Sequence, residues 1–153
     1  MGVHVRSEGV RHAPVKRAMV AEAAERMLSA LGREGSELSV LLCNDTLIAE
    51  LNETYRDKKG PTDVLAFAMS EGEFGQLHAE LLGDVVISLD TARRQADARG
   101  HAIAAEVRLL LGHGLLHLLG YDHQTPAEYR RMMALQHVLV SAAGPVVPMG
   151  QVP

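Results

Sequence analysis

The pattern of apolar and polar residues along the chain predicts about four strands and about five helices. The predicted strands cover residues 3–6, 38–43, 63–69 and 83–89. The predicted helices cover residues 14–31, 45–55, 90–99, 102–119 and 125–142, and a polar connection, residues 70–80, joins the last two strands. This mixture predicts an α+β fold with a four-stranded sheet. The pattern leaves open whether the strands pair as hairpins or through crossovers.

One predicted helix, residues 102–119, is apolar almost all round, which is typical of a helix buried in the middle of a domain. Gly120 ends this helix, and Thr125, with proline next to it, is a start signal for the last one. The chain length predicts a single domain, residues 1–143. The proline- and glycine-rich residues 144–153 predict a flexible tail.

The composition narrows the classes of partner. A net charge of −4, from 15 Lys and Arg against 19 Asp and Glu, argues against a general polyanion binder, because such domains are strongly basic. It does not exclude a nucleic-acid enzyme with a local basic patch. Because the chain has no Trp, three Tyr and two Phe, we expect no platform of repeated aromatic faces for stacking bases.

Nothing in the sequence predicts a membrane or secretory destination. The first residues lack the basic-then-apolar pattern of a signal peptide. The longest apolar run, residues 109–119, is interrupted by two histidines and is too short to span a bilayer. The single cysteine, Cys43, excludes internal disulfides and suits a reducing compartment. We therefore expect a soluble, cytoplasmic protein with no membrane partner.

Three of the eight histidines lie close together in the sequence, at and beyond the end of the central helix. His113 and His117 are four residues apart, so both imidazoles lie on one helix face about one turn apart. Gly120 allows the chain to turn back, which places His123 to supply a third nitrogen. This spacing is the ligand frame of metzincin proteases. It predicts one Zn²⁺ per chain with an open fourth position, which is typical of a catalytic site.

Gly114 stands where a metzincin carries its glutamate general base, so the peptidase chemistry lacks a residue that it needs. Gly112 and Gly114 each cost the helix about 1 kcal/mol relative to alanine. Either something packs closely against this turn, or a well-packed helix tolerates both glycines. Asp122 is the nearest candidate for a general base; it is alternatively a turn residue or a group that orients a histidine.

A second cluster, residues 55–63, is a polar loop with Arg56, Lys58 and Lys59. The planar guanidinium of Arg56 suits bidentate contact with a phosphate, and the lysines add point charges. On charge alone, the favoured interpretation of these residues is a solvated charged loop. The arginine pairs 93–94 and 130–131 are interpreted as solvated helix faces.

Three blocks of the sequence resemble the YbeY family of bacterial endoribonucleases, which are also described as rRNA maturation factors. In chain order they are Tyr-Arg at residues 55–56 with PTDVL at 61–65, then LGDVVI at 82–87, then HGLLHLLGYDH at 113–123. The family has its blocks in the same order. The resemblance departs at Ala66, where the family usually has serine, so any role of that hydroxyl is absent.

The resemblance implies a single-strand-specific, metal-dependent RNase that acts in 16S rRNA 3′-end maturation and ribosome quality control. Single-stranded rRNA and the ribosome or its proteins are the implied partners. It also implies that His113, His117 and His123 hold the zinc, that Arg56 is the functional arginine, and that Lys58 is a basic substrate-binding position.

The mechanism expected from these residues combines a metal that lowers the pKa of water toward about 7 with an arginine that opposes charge on the scissile phosphate. Attack by hydroxide and attack by the RNA 2′-OH both remain open. Two other classes also remain open: a zinc metallopeptidase-like hydrolase, and a non-catalytic ribosome assembly factor with a structural zinc.

Overall fold

The computed structural model describes residues 2–11, 13–69 and 81–144. The strands are β1 (Val3–Ser7), β2 (Glu37–Cys43), β3 (Val64–Ala68) and β4 (Leu81–Ser88). The helices are α1 (Arg17–Ala30), α2 (Asp45–Arg56), α3 (Leu89–Arg99), α4 (Ile103–Leu118) and α5 (Pro126–Ala142). The predicted single-domain α+β fold is confirmed, with each element near its predicted place. The predicted connection 70–80 lies outside the described residues, and so does the predicted tail beyond Gly144.

The four strands form one sheet in the order β1-β2-β4-β3. β1 pairs with β2 and β2 with β4 in parallel, whereas β3 pairs antiparallel with β4. The last strand in the chain is therefore central, and β3 lies at an edge of the sheet. This placement matters for the site because an edge strand has backbone groups that no neighbouring strand uses.

The two faces of the sheet are covered by different helices. On one face, alternate residues such as Val40, Leu42 and Val85 are buried in the main core with α1, α4 and α5. On the other face, residues such as Leu41 and Cys43 pack against α2 in a smaller cluster. α4 contacts β3, β4, α1, α3 and α5, so the prediction of a central buried helix is confirmed.

Side chains near α2 show which sequence interpretations hold. The Cys43 thiol is free and buried, and burial, with nearby carboxylates, raises its pKa to about 12, so it is an unreactive core group. Arg94 is exposed, as predicted for a solvated helix face, and its guanidinium also lies 2.8 Å from Asp45 at the start of α2. None of the helices within the described ranges is long and apolar enough to cross a bilayer.

The two glycines of α4 have different surroundings. A Cβ atom added to Gly114 would lie 2.8 Å from Cγ1 of Val85, which is too close, and 3.1 Å from Cγ2 of Val64, which is a tight contact. At Gly112 the nearest side-chain atom, Cβ of Leu139, would lie at an ordinary 3.8 Å. Of the two explanations for these glycines, close packing therefore holds at Gly114, where α4 meets the sheet, and tolerance holds at Gly112.

This difference predicts opposite effects on stability. Gly114→Ala should lower the free energy of unfolding by about 1–3 kcal/mol, because buried Val85 and half-buried Val64 are both β-branched and their side chains are stiff. Gly112→Ala should raise it by up to about 1 kcal/mol, since alanine is the better helix former. Urea unfolding of both variants beside the wild type measures the difference. A Gly114→Ala protein as stable as the wild type would show that the helix does not need this close approach.

Candidate metal centre

The last turns of α4 bring two imidazole rings together. His113 and His117 are both half-buried, their ring centroids are 4.6 Å apart, and their Nε2 atoms are separated by 3.1 Å. The arrangement follows from the helix itself, because residues four apart are neighbours on one face.

His123 joins this pair through the turn that ends α4. Gly120 has a φ of 93°, a backbone conformation that residues with a side chain rarely adopt. The Tyr121 N–H donates to the Leu116 carbonyl at 3.1 Å. The chain then turns back, and the His123 ring centroid lies 5.8 Å from that of His113 and 5.5 Å from that of His117. One ring nitrogen of each histidine lies within 4.8 Å of the others.

The chemistry of this group, called the three-histidine centre below, fits a divalent transition metal. Burial, and then the neighbouring imidazoles of His113 and His123, lower the pKa of His117, which favours the neutral form that metals bind. The group consists of imidazoles alone, and no carboxylate of the described chain belongs to it. Neutral imidazole nitrogens suit zinc and its neighbours in the first transition series.

Asp122, the candidate general base, has a local structural role. Its Oδ1 accepts a hydrogen bond from the backbone N–H of His123 at 2.7 Å. The side chain is exposed and lies in the turn that carries His123 toward the other two histidines. Of the roles that the sequence left open for Asp122, these contacts support that of a turn residue.

Arg56, the last residue of α2, is held at the free edge of β3. Its Nη2 donates to the Ala66 carbonyl, and its guanidinium carbon lies 4.9 Å from the ring centroid of Phe67. Two residues earlier in β3, Val64 packs against Gly114, the neighbour of His113. The same short strand therefore contacts both Arg56 and the helix that carries the histidines.

Lys58 lies in the loop after α2, with its side chain exposed. Its backbone N–H donates to the carbonyl of Asn52 at 3.3 Å, and the Asn52 side chain donates to the Gly60 carbonyl at 3.0 Å. Buried Asn52 therefore fixes the shape of the basic loop, a role that the sequence reasoning missed. A polar residue on the inner face of a short helix was the available signal.

A cavity of about 460 Å³ lies on the α2 face of the sheet and is lined partly by Tyr55, Phe67 and Asp84. The rings of Tyr55 and Phe67 meet edge to face, with centroids 5.5 Å apart. Arg56 is not among the residues that line this cavity; it contacts the cavity residue Phe67, with its guanidinium carbon over the ring.

A second residue that the sequence reasoning missed is Gln136 of α5. Its Oε1 lies 3.0 Å from Nδ1 of His113, the ring nitrogen opposite the one that lies near His117. Gln136 comes one turn after Met132, which is buried. A polar residue at helical spacing from a core methionine was the only sequence signal.

These features define a class: a small α+β protein with three histidines grouped at the end of a buried helix, beside the edge of a mixed sheet. The family model described as "Endoribonuclease YbeY" matches residues 7–144. The chain belongs to this family.

Curated relatives agree with the family model. The chain is 46% identical over 136 residues to "Endoribonuclease YbeY" of Geobacter metallireducens, covering 88% of this chain and 90% of that protein. It is 53% identical over 114 residues to the protein of the same name from Aquifex aeolicus, covering 74% of each. The solution structure of TM1509 from Thermotoga maritima is similar in fold, with a TM-score of 0.63, 21% identity, and coverage of 92% of this chain and 88% of that one.

Proposed function

We propose that this protein is a zinc-dependent, single-strand-specific endoribonuclease that acts in 16S rRNA 3′-end maturation and ribosome quality control. The observation that carries the proposal is the three-histidine centre in a chain whose relatives are named endoribonucleases. In this proposal the protein acts in the cytoplasm, because ribosomes mature there. Since the net charge is −4, the ribosome or a ribosomal protein supplies part of the RNA recognition.

His113, His117 and His123 would hold one zinc ion per chain. A zinc ion bound there would supply Lewis acidity toward a phosphate oxygen and would acidify water near neutral pH. The lowered pKa of His117 supports this role, because its nitrogen is available without loss of a proton. His123 is exposed, so the centre opens toward solvent and a strand of RNA has access to it.

Arg56 binds the scissile phosphate in this proposal. One of its nitrogens donates to the Ala66 carbonyl and its plane rests near Phe67, so the cation is positioned before a substrate arrives. The remaining N–H groups suit a phosphate, whose negative charge increases in the transition state. Exposed Lys58 adds a point charge two residues further along, as a substrate-binding residue.

A metallopeptidase is the second candidate, because the three-histidine spacing matches the metzincin frame. The packing at Gly114 argues against it. The Cβ of a glutamate at this position would lie 2.8 Å from Cγ1 of Val85 and 3.1 Å from Cγ2 of Val64, so these side chains, between α4 and the sheet, would have to shift to admit it. The chain therefore has glycine, and not a general base, at the position that the metzincin mechanism uses.

Incubation with two substrates separates these functions. Zinc-loaded protein should cleave a single-stranded rRNA fragment, should stop when a chelator is added, and should leave an unstructured peptide intact. Both reactions are followed on gels, with the His117→Ala variant as the control for contaminating nucleases and proteases. Peptide cleavage that is lost with the chelator and in the variant would overturn the proposed RNase function in favour of the peptidase.

A further inference from the structure

Gln136 is the polar side chain that α5 contributes to the three-histidine centre. It is half-buried, and its Oε1 lies 3.0 Å from Nδ1 of His113. The side chain crosses α4 at Gly112, where an added Cβ would lie 3.9 Å from Cγ of Gln136. The amide therefore reaches His113 from the neighbouring helix, over the residue that precedes it.

This contact selects one tautomer of the His113 ring. A neutral imidazole has one N–H donor and one acceptor nitrogen, and the amide oxygen of Gln136 can only accept. Nδ1 therefore carries the ring proton, and this N–H donates a hydrogen bond to Oε1 of Gln136. The lone pair is then on Nε2, the atom that lies 3.1 Å from Nε2 of His117 and so within the group of nitrogens that faces a metal.

We propose that Gln136 is a positioning residue that fixes the tautomer and ring orientation of His113 for metal binding. The inference rests on the proposed metal centre and adds a residue from α5 to it. Gln136 acts through His113 and not on the substrate. Partners of this kind, on the far nitrogen of a ligating histidine, commonly change metal affinity by 10–100-fold.

The choice of an amide over a carboxylate has its own consequence. A carboxylate would accept the same hydrogen bond with a full negative charge and would make the imidazole a stronger ligand. The neutral amide orients His113 without this charge. Gln136→Glu should therefore bind zinc at least as tightly as the wild type, and Gln136→Leu should bind it about 10–100-fold more weakly.

The test measures zinc affinity by competition with a chromophoric chelator, for the wild type, Gln136→Leu, Gln136→Asn and Gln136→Glu. His137→Leu is the matched control, since His137 is the next residue of the same helix and is exposed. It should bind zinc as the wild type does. Gln136→Asn shortens the side chain without making it apolar, so it should also lose affinity even if the leucine variant folds poorly.

A second readout is the tautomer of His113 in the metal-free proteins, measured by ¹⁵N NMR of the imidazole nitrogens. The wild type and Gln136→Glu should carry the proton on Nδ1, and Gln136→Leu should lose this preference. Wild-type zinc affinity and an unchanged tautomer in folded Gln136→Leu would overturn the proposal, leaving Gln136 a packing residue. Failure of the wild type to cleave RNA, with these affinity and tautomer effects present, would instead overturn the proposed function alone.

Discussion

Replacement of Arg56 by alanine is expected to lower RNA cleavage by about 10²–10³-fold, the scale for loss of one transition-state donor. Zinc content and fold should not change, because the side chain is exposed and lies at the edge of β3. Cleavage falls because the variant lacks the guanidinium, which in the wild type is held near Phe67 with N–H donors free for a phosphate. Arg56→Lys should recover only a small part of the rate, because an ammonium group keeps the charge but not the planar fork.

Single-turnover rates at equal zinc occupancy measure this effect. Lys59→Ala is the matched control, since it removes one exposed positive charge from the same loop. A second interpretation of Arg56 is that it only covers the Ala66 carbonyl at the sheet edge. In that case Arg56→Ala and Arg56→Lys would cleave RNA like the wild type, and the alanine variant would differ only in stability.

Local patterns predicted much of this molecule from the sequence. Helix periodicity is fixed, so the spacing of His113 and His117 was enough to place both rings on one face, as the structure shows. Gly120 marked the turn that brings His123 back, because a left-handed conformation there favours glycine. The central position of α4 was also predictable, because α4 is apolar almost all round and such a helix is buried on every side.

Contacts between distant segments were not predictable in the same way. The position of β4 between β2 and β3 depends on which edges meet in the folded sheet, and strand patterns carry no such information. The bonds from Arg56 to Ala66 and from Gln136 to His113 join separate elements. Whether these two hydrogen bonds form depends on how the helices pack in the folded protein. No fixed spacing of residues in the sequence indicates either of them.

Loss of the metal is the second large effect. His113→Ala and His117→Ala should each lose most of the bound zinc, because two imidazoles hold a metal much less tightly than three. RNA cleavage should fall with the zinc content. Chelation of the wild type should give the same loss and a lower melting temperature, since a metal that binds only the folded state stabilises it.

The most direct test measures zinc per chain and cleavage of single-stranded rRNA in the same preparations of wild type, His117→Ala and His137→Ala. His137 is an exposed histidine of α5 that does not belong to the three-histidine centre, so its variant controls for the loss of any histidine. We expect one zinc per chain and full cleavage for the wild type and His137→Ala, and little of either for His117→Ala. Wild-type zinc content together with wild-type RNA cleavage in His117→Ala would contradict a catalytic metal centre at these histidines.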